Sequence, residues 1–317
     1  ILETFTTDSY GNYSLTKTLN SLPDIFEIKF LPGGVDITTE EVVNTTFSNI
    51  STREESNTRI LNVTPLTTLV SGVVRKKLSN NTNYSTIISN AKTKIEEIFD
   101  IPKSDFNLDF IELEKPNIAK KCVQINTMIE VLSDSIDSNN IDNDNVLSSC
   151  INVINAIDTD TEDFDLTEED SITKIISNIR SNNNVVLNSN KRSNIAKYTK
   201  SINKDIDDID TDNSIVNVMT EICKISVASR EILRNPTEAP NFNDNNLIVD
   251  DIVNNVRSRK QNVQIKTILK PNSRINAESE SSSSGSGSSS GSGSGSGSSS
   301  GSGTVSYTHL RAHETSK

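Results

Sequence analysis

The sequence predicts a mostly α-helical protein with a small N-terminal β part: a truncated β-sandwich followed by a helical bundle and a disordered Ser/Gly tail. Three observations support this fold class. Aromatic and Thr residues, which favour strands, concentrate before Val63. Apolar residues recur at helical spacing from Thr64 onward. Residues 281–303 contain only Ser and Gly, a composition that cannot bury apolar surface.

These changes in composition define four segments of the chain. We expect a partial β-sandwich at 1–63 and an all-helical domain at 64–270. A Ser/Gly-rich linker should follow at 271–304, and residues 305–317 form a separate terminal segment. Because the sequence begins with Ile1 and not with Met, we expect it to be a piece of a longer protein.

The β part is predicted from short segments with strand-like alternation. Residues 4–15 indicate two strands around an Asp-Gly turn. In 25–31, residues of alternating polarity indicate a strand whose inner face carries Phe26, Ile28 and Phe30. Weaker strands are expected at 45–50 and 59–63. So few strands make an incomplete sandwich with an unpaired edge, and its first strands are expected to precede Ile1.

The helical part begins at a clear N-terminal signal. Thr64 is a good N-cap, and Pro65 suits the first helical position because its missing N–H would have no partner there. Thr167 with the acidic residues after it is a second good helix start. Apolar stripes and these signals predict about eight helices. Two of them begin at Thr64 and Thr167, and the other six are expected at 84–99, 116–136, 145–157, 195–209, 214–233 and 247–256.

Charge and residue usage exclude several classes of protein. The chain of 317 residues has 31 Lys and Arg against 43 Asp and Glu, a net charge of −12 that repels phosphate backbones and anionic membranes. We therefore expect no nucleic-acid partner. No stretch approaches the roughly 20 apolar residues of a membrane span. Three cysteines fit neither a dense disulfide framework nor a zinc cluster.

The last segment contains both histidines of the chain. Residues 305–315, Val-Ser-Tyr-Thr-His-Leu-Arg-Ala-His-Glu-Thr, resemble a reading frame of the adapter that a transposase attaches to DNA for sequencing. We interpret 305–317 as translated adapter, so His309 and His313 do not indicate a metal pair. Residues 1–304 contain no histidine, which excludes Ser-His, Cys-His and His-metal sites built within them. The sequence thus predicts no enzyme and no catalytic, cofactor-binding or metal-binding residues.

Two acidic runs are open to more than one interpretation. In residues 158–169, Asp158, Asp160 and Glu162 have the spacing of ligands in a calcium loop. However, Asp163 stands where such a loop needs Gly, and Leu166 occupies a ligand position. The favoured interpretation is a solvated loop that caps the next helix, with calcium as the alternative. The second run, Asp205 to Asp212, has the same two interpretations.

The cysteines and the glycosylation sequons are further candidates. Cys122, Cys150 and Cys223 fall on apolar helix faces, where a thiol behaves as a small apolar group. A bridge between Cys122 and Cys150 is the alternative, and a nucleophile is disfavoured without a histidine. Sequons are weak indicators in a chain so rich in Asn, Ser and Thr. They begin at Asn12, Asn44, Asn49, Asn62, Asn80 and Asn83.

Three motifs of the first 135 residues stand in a fixed order. They are Thr-Thr-Asp-Ser-Tyr-Gly-Asn-Tyr at 6–13, Gly-Gly-Val-Asp-Ile-Thr-Thr at 33–39 and Val-Thr-Pro-Leu-Thr-Thr-Leu-Val at 63–70. This set resembles a junction in large surface and secreted proteins of marine bacteria and algal viruses, where a carboxypeptidase-regulatory-like β-sandwich leads into an all-α region. The chain departs from that pattern at Glu40, where the family has Gly. The resemblance implies a noncatalytic module.

We therefore expect a noncatalytic structural or adhesion segment of a multidomain secreted or surface protein. It would lie outside the cell or on its surface, would need no cofactor and would contact a surface or protein partner that the sequence does not identify. Two alternatives remain open at this point. One is a virion-associated structural protein, and the other is an accessory domain of a secreted hydrolase.

Overall fold

A computed structural model describes residues 22–36, 38–53, 61–78, 83–136, 141–159 and 161–266. Eight α-helices follow a two-stranded antiparallel sheet in this part of the chain, which confirms the predicted mostly helical class with a small N-terminal β part. The strands predicted within 4–15, the Ser/Gly tract and the adapter-like segment with both histidines lie outside the described residues.

The eight helix predictions match the observed helices closely. The strands are β1 (Ile25–Phe30) and β2 (Phe47–Thr52), and the helices are α1 (Pro65–Lys77), α2 (Tyr84–Phe99), α3 (Pro116–Ile136), α4 (Asn143–Ala156), α5 (Glu169–Asn183), α6 (Ser189–Asp207), α7 (Ile215–Arg234) and α8 (Val249–Arg259). The largest difference is at α6, which begins six residues before the predicted start at 195. The Asn188 side chain accepts a hydrogen bond from Lys191 N and caps that end.

The sheet pairs β1 with β2 and buries the face that the sequence predicts. Phe26 lies opposite Ser51 in the antiparallel register. Phe26 and Ile28 are buried and Phe30 packs against them, in a small core that also includes Leu22, Val43, Phe47, Leu61 and Val63. Residues 61–63, the described part of the strand predicted at 59–63, have no regular secondary structure. The β-sandwich stays a prediction.

Helix α1 covers the edge of β2 that faces away from β1. Ser48 N donates to Thr68 Oγ1 at 2.9 Å, and Ile50 N donates to Ser71 Oγ at 2.9 Å. In return, Thr67 Oγ1 donates to the Ser48 carbonyl at 3.0 Å. A strand edge with unpaired backbone groups is a site of aggregation, and here helix hydroxyls occupy those groups. This contact gives the Thr-Pro-Leu-Thr-Thr motif a structural explanation.

Helix α3 lies at the centre of the bundle. It contacts α1, α4, α6 and α7, and apolar side chains along its length are fully buried. On the neighbouring helix α1, Gly72 allows α4 to approach closely. A Cβ at position 72 would lie 2.7 Å from Cγ1 of Ile151 on α4. The helices therefore pack around one continuous core, to which Ile50 of β2 also belongs.

Three lysines bind the C-terminal ends of neighbouring helices. The last carbonyl groups of a helix have no partner within it, and a cation there also interacts favourably with the helix dipole. Lys94 binds the end of α4, Lys120 the end of α6 and Lys191 the end of α3. Burial lowers the pKa of both Lys94 and Lys120.

None of the described helices is long and apolar enough to cross a membrane.

Candidate functional site

The loop between β1 and β2 is folded around the side chain of Asp36. Asp36 Oδ1 accepts a hydrogen bond from Thr38 N at 2.8 Å, and Oδ2 accepts one from Thr39 Oγ1 at 3.1 Å. A short antiparallel bridge joins Val35 to Val42. Aspartate often holds a turn by such bonds to the residues that follow it. In this loop the aspartate is also buried.

Glu40 gives the same loop its tight backbone. Its φ of 58° lies in the left-handed region that favours glycine. Position 40 is where the chain departs from the Gly of the resembled motif, yet the backbone takes a conformation that glycine adopts easily. The Glu40 side chain pairs with Lys266, whose backbone N–H donates to the Thr38 carbonyl. The end of the described chain thus holds the loop in place.

Beneath this loop, a buried arginine joins three parts of the fold. Arg230 on α7 lies 2.6 Å from Glu130 on α3, measured from Nη1 to Oε2. The same guanidinium forms an ion pair with Glu41 of the loop. Its Nε donates to the Ser226 carbonyl at 3.2 Å. The Arg230 and Glu130 side chains are only 5% and 3% exposed. Charges so deeply buried are kept in proteins when they are paired.

A second arginine extends this arrangement toward the surface. Arg234, one helical turn after Arg230, lies 2.8 Å from Asp134 and 3.6 Å from Glu41. We call the six charged residues the Arg230 network, which comprises Asp36, Glu41, Glu130, Asp134, Arg230 and Arg234. Two of these side chains come from the loop, two from α3 and two from α7.

Burial shifts the ionisation of the network. It raises the pKa of Asp36 to about 7, although the Thr38 and Thr39 hydrogen bonds and Arg230 oppose this shift. Burial also raises the pKa of Glu130, with Arg230 acting in the opposite direction. Burial alone would lower the pKa of Arg230, but the carboxylates of Glu130, Glu41 and Asp36 raise it above its ordinary value. Arg230 therefore stays charged and Asp36 titrates near neutral pH.

A cavity of about 30 Å³ adjoins the network. Its walls include Asp36, Asn126, Glu130 and Arg230. This volume is sufficient for about one or two water molecules, whereas pockets for small-molecule ligands are about ten times larger or more. The arrangement can bind the loop to two helices. It has no room for a substrate of ordinary size.

Asp36 is expected to make the free energy of unfolding fall as the pH rises from about 4 to about 7. Because burial raises the folded-state pKa of Asp36 from 3.8 to about 7, the folded protein keeps a proton that the unfolded chain has lost in this interval. The stabilisation that comes from this proton is fully present below the pKa of Asp36 in the unfolded chain. It is lost as the pH rises through the pKa of Asp36 in the folded protein. Urea unfolding across this range measures the slope.

The matched variant is Asp36→Asn, which has no titrating proton. Its Oδ1 can still accept from Thr38 N, and its Nδ2 can donate to Thr39 Oγ1 where the carboxylate accepts from that hydroxyl. We expect the difference in unfolding free energy between wild type and variant to change steadily between the two pKa values and to stay constant outside them. A difference that does not vary with pH would contradict the titration of Asp36.

The sequence contains a signal for the buried charges of this network on α7 and on α3. On α7, Met219, Cys223 and Ser226 occupy the buried face, and Arg230 follows at the same helical spacing. On α3, Glu130 stands among buried neighbours in the same way. A charged residue on an apolar stripe requires a buried partner. The buried positions of Arg230 and Glu130 can be predicted from the sequence, although their pairing cannot.

The cysteines lie on buried helix faces, as predicted. Cys122 and Cys150 are free thiols, so the bridge considered between them is not formed in this structure. Burial raises the pKa of both thiols to about 12. Burial likewise raises the pKa of Cys223, which lines the small cavity with Cys122. Thiols in such surroundings remain protonated at neutral pH and are poor nucleophiles.

The carboxylates of the first acidic run diverge. Glu162 pairs with Lys174 at 2.8 Å, and Asp165 Oδ1 accepts a hydrogen bond from Thr167 N. Asp158 is exposed, and Asp160 lies outside the described residues. In the second run, Asp205 makes a bidentate contact with Arg257 and Asp207 pairs with Lys121. The described residues contain no group of three or more His, Cys, Asp or Glu that could hold a metal ion.

Two of the sequons belong to a buried amide network. Asn49 Nδ2 donates to the Asn62 carbonyl and to Asn107 Oδ1, and Asn62 Nδ2 donates to the Asn107 carbonyl. Glycans on these amides would break the network. Asn44 and Asn83 are exposed. Asn12 and Asn80 lie outside the described residues.

Comparisons of the chain with protein-family models, curated proteins and solved structures give no match. Its function must therefore be argued from its own residues.

Proposed function

We propose that the chain is a noncatalytic structural or adhesion segment of a multidomain secreted or surface protein. The observation that carries this proposal is the Arg230 network, which binds the loop of the β part to α3 and α7. A segment that connects other modules must keep a fixed geometry between its own parts. Buried, paired charges serve that purpose because each is costly without its partner.

The contact between β2 and α1 supports the same proposal. Thr67, Thr68 and Ser71 bind the backbone of β2, so the strands and the helices share hydrogen bonds as well as a core. A force applied to the two ends of the chain would have to break both contacts together. This is the behaviour expected of a module that transmits load or holds a surface at a distance.

The test is single-molecule force spectroscopy on the full chain held at its two ends. We expect the strands and the helices to unfold in one event in the wild-type protein. In Arg230→Ala, we expect the strands to detach first and at lower force. The control is Arg234→Ala, whose guanidinium is 40% exposed and should contribute little. Two separate events in the wild type would contradict the proposed rigid connection.

The multidomain arrangement has its own test. Negative-stain imaging of the longer protein that carries this chain should show a string of modules, with this segment as one of them. A single compact particle of the kind formed by a globular enzyme would contradict the proposal.

A further inference from the structure

Residues 33–42 of the loop between β1 and β2 cover a cavity that two cysteines also line. Cys122 on α3 and Cys223 on α7 belong to its walls, and Asp36 and Val42 close it from the side of the loop. Both cysteines are buried. The cavity of about 30 Å³ has room for one or two water molecules and not for a thiol reagent. The two thiols are therefore protected while the loop is in place.

Polar contacts hold this part of the loop to the helices. None of its described residues from 33 to 42 belongs to a buried apolar core. Glu41 pairs with Arg230 on α7, and Glu40 pairs with Lys266 near the end of the described chain. Segments with few buried apolar contacts open locally at a lower free energy than the whole protein. The loop can therefore open while the helices stay folded.

Asp36 is the buried carboxyl of this loop, and it forms no ion pair with a described residue. The other three carboxylates of the Arg230 network each lie within ion-pair distance of an arginine. The titratable groups that share the cavity wall with Asp36 are Glu41 of the loop, Cys122 and Glu130 of α3, and Cys223 and Arg230 of α7.

Ionisation of Asp36 unbalances these charges. The network then has four carboxylates against the two guanidinium groups of Arg230 and Arg234. The guanidinium of Arg230 is already shared between Glu41 and Glu130. A buried carboxylate without its own cation is costly, and hydration in an open loop removes that cost.

We propose that residues 33–42 form a pH-dependent cover, which closes over Cys122 and Cys223 when Asp36 is protonated and opens toward solvent when Asp36 is ionised. Burial raises the pKa of Asp36 in the closed loop to about 7, against 3.8 in solvent. The stabilisation of the closed loop is therefore fully present below the solvent value and is lost as the pH rises through the closed-loop value. These two pKa values predict that the ratio of open to closed molecules rises about tenfold from about pH 6 to about pH 8.5.

Thiol labelling of the full chain tests the cover. Short pulses of N-ethylmaleimide are given at about pH 6 and about pH 8.5, and peptide mass spectrometry measures the labelling of each cysteine. Cys150 on α4 is the internal reference, because it is buried and does not line this cavity. Division by the labelling rates of the urea-unfolded chain at the same pH removes the pH dependence of the reaction itself. We expect the labelling of Cys122 and Cys223 relative to Cys150 to rise about tenfold.

Two results with the wild-type protein would overturn the proposal. If the labelling of Cys122 and Cys223 relative to Cys150 does not change with pH, the loop stays closed when Asp36 ionises. If the labelling of all three cysteines rises equally, the whole protein opens and not the loop. The cover goes beyond the proposed structural role, and either can be wrong while the other holds, because force spectroscopy at about pH 6 tests the connection with the loop closed.

Two variants assign the opening to Asp36. In Asp36→Asn the relative labelling should not vary with pH, because the side chain stays neutral. Asp134→Asn is the matched control: it removes the same charge from the network at a carboxylate that pairs with Arg234, and the tenfold rise should persist. A rise in Asp36→Asn, or its loss in Asp134→Asn, would overturn the role of Asp36. If Asp36→Asn does not fold, the wild-type labelling of Cys122 and Cys223 relative to Cys150 decides.

Discussion

Arg230→Ala is expected to lower the free energy of unfolding by about 3–5 kcal/mol, which is the cost of leaving buried charges without their partner. Glu130, whose side chain is 3% exposed in the wild type, would lose its ion pair. Glu41 would keep only its contact with Arg234 at 3.6 Å. Chemical denaturation monitored by circular dichroism measures the loss.

Two further variants separate the cost of a broken network from the value of an intact one. Arg234→Ala removes a charge that is 40% exposed and should cost less than about 1 kcal/mol. Arg230→Met combined with Glu130→Met replaces the buried pair by apolar groups and should recover much of the lost stability. A loss in Arg230→Ala no larger than that in Arg234→Ala would contradict the buried role of Arg230.

The variant also has an expected effect on pH dependence. Arg230 lowers the pKa of Asp36, against the larger effect of burial. Without this cation, the folded pKa of Asp36 should rise further, and the interval over which stability falls should extend to higher pH. Arg230 and Asp36 are therefore coupled through charge.

The helices could be predicted because their signals are local. Each apolar stripe and each cap lies within a few turns of chain, so Thr64 and Ser214 mark helix starts in both sequence and structure. The early start of α6 at Ser189 was missed since its first turns are polar and only Asn188 indicates the cap. Local signals of that kind are weak when no apolar residue accompanies them.

The Arg230 network could not be predicted in the same way. Glu41, Glu130 and Arg230 are distant in sequence, and only the folded arrangement of loop, α3 and α7 brings them together. For the acidic run at 158–165, calcium is the alternative to a solvated loop, and the described residues of the run belong to no group that could hold a metal ion.

Gly72→Val is expected to lower the free energy of unfolding by about 1–3 kcal/mol, through overpacking between α1 and α4. A Cβ at position 72 would lie 2.7 Å from Cγ1 and 2.9 Å from Cγ2 of Ile151, and closer still to its Cδ1. These atoms belong to a side chain that is itself buried in the core. The better helix propensity of valine offsets less than about 1 kcal/mol of this cost.

The contact with Ile151 can be tested by a double-mutant cycle. Ile151→Ala alone should cost about 2–5 kcal/mol because it leaves a cavity. In the double variant, the two valine methyl groups can occupy part of that cavity, so the combined loss should be smaller than the sum by about 0.5–3 kcal/mol. Additive losses would mean that Gly72 is required for a reason other than the approach of α4, since no shared contact would then connect the two positions.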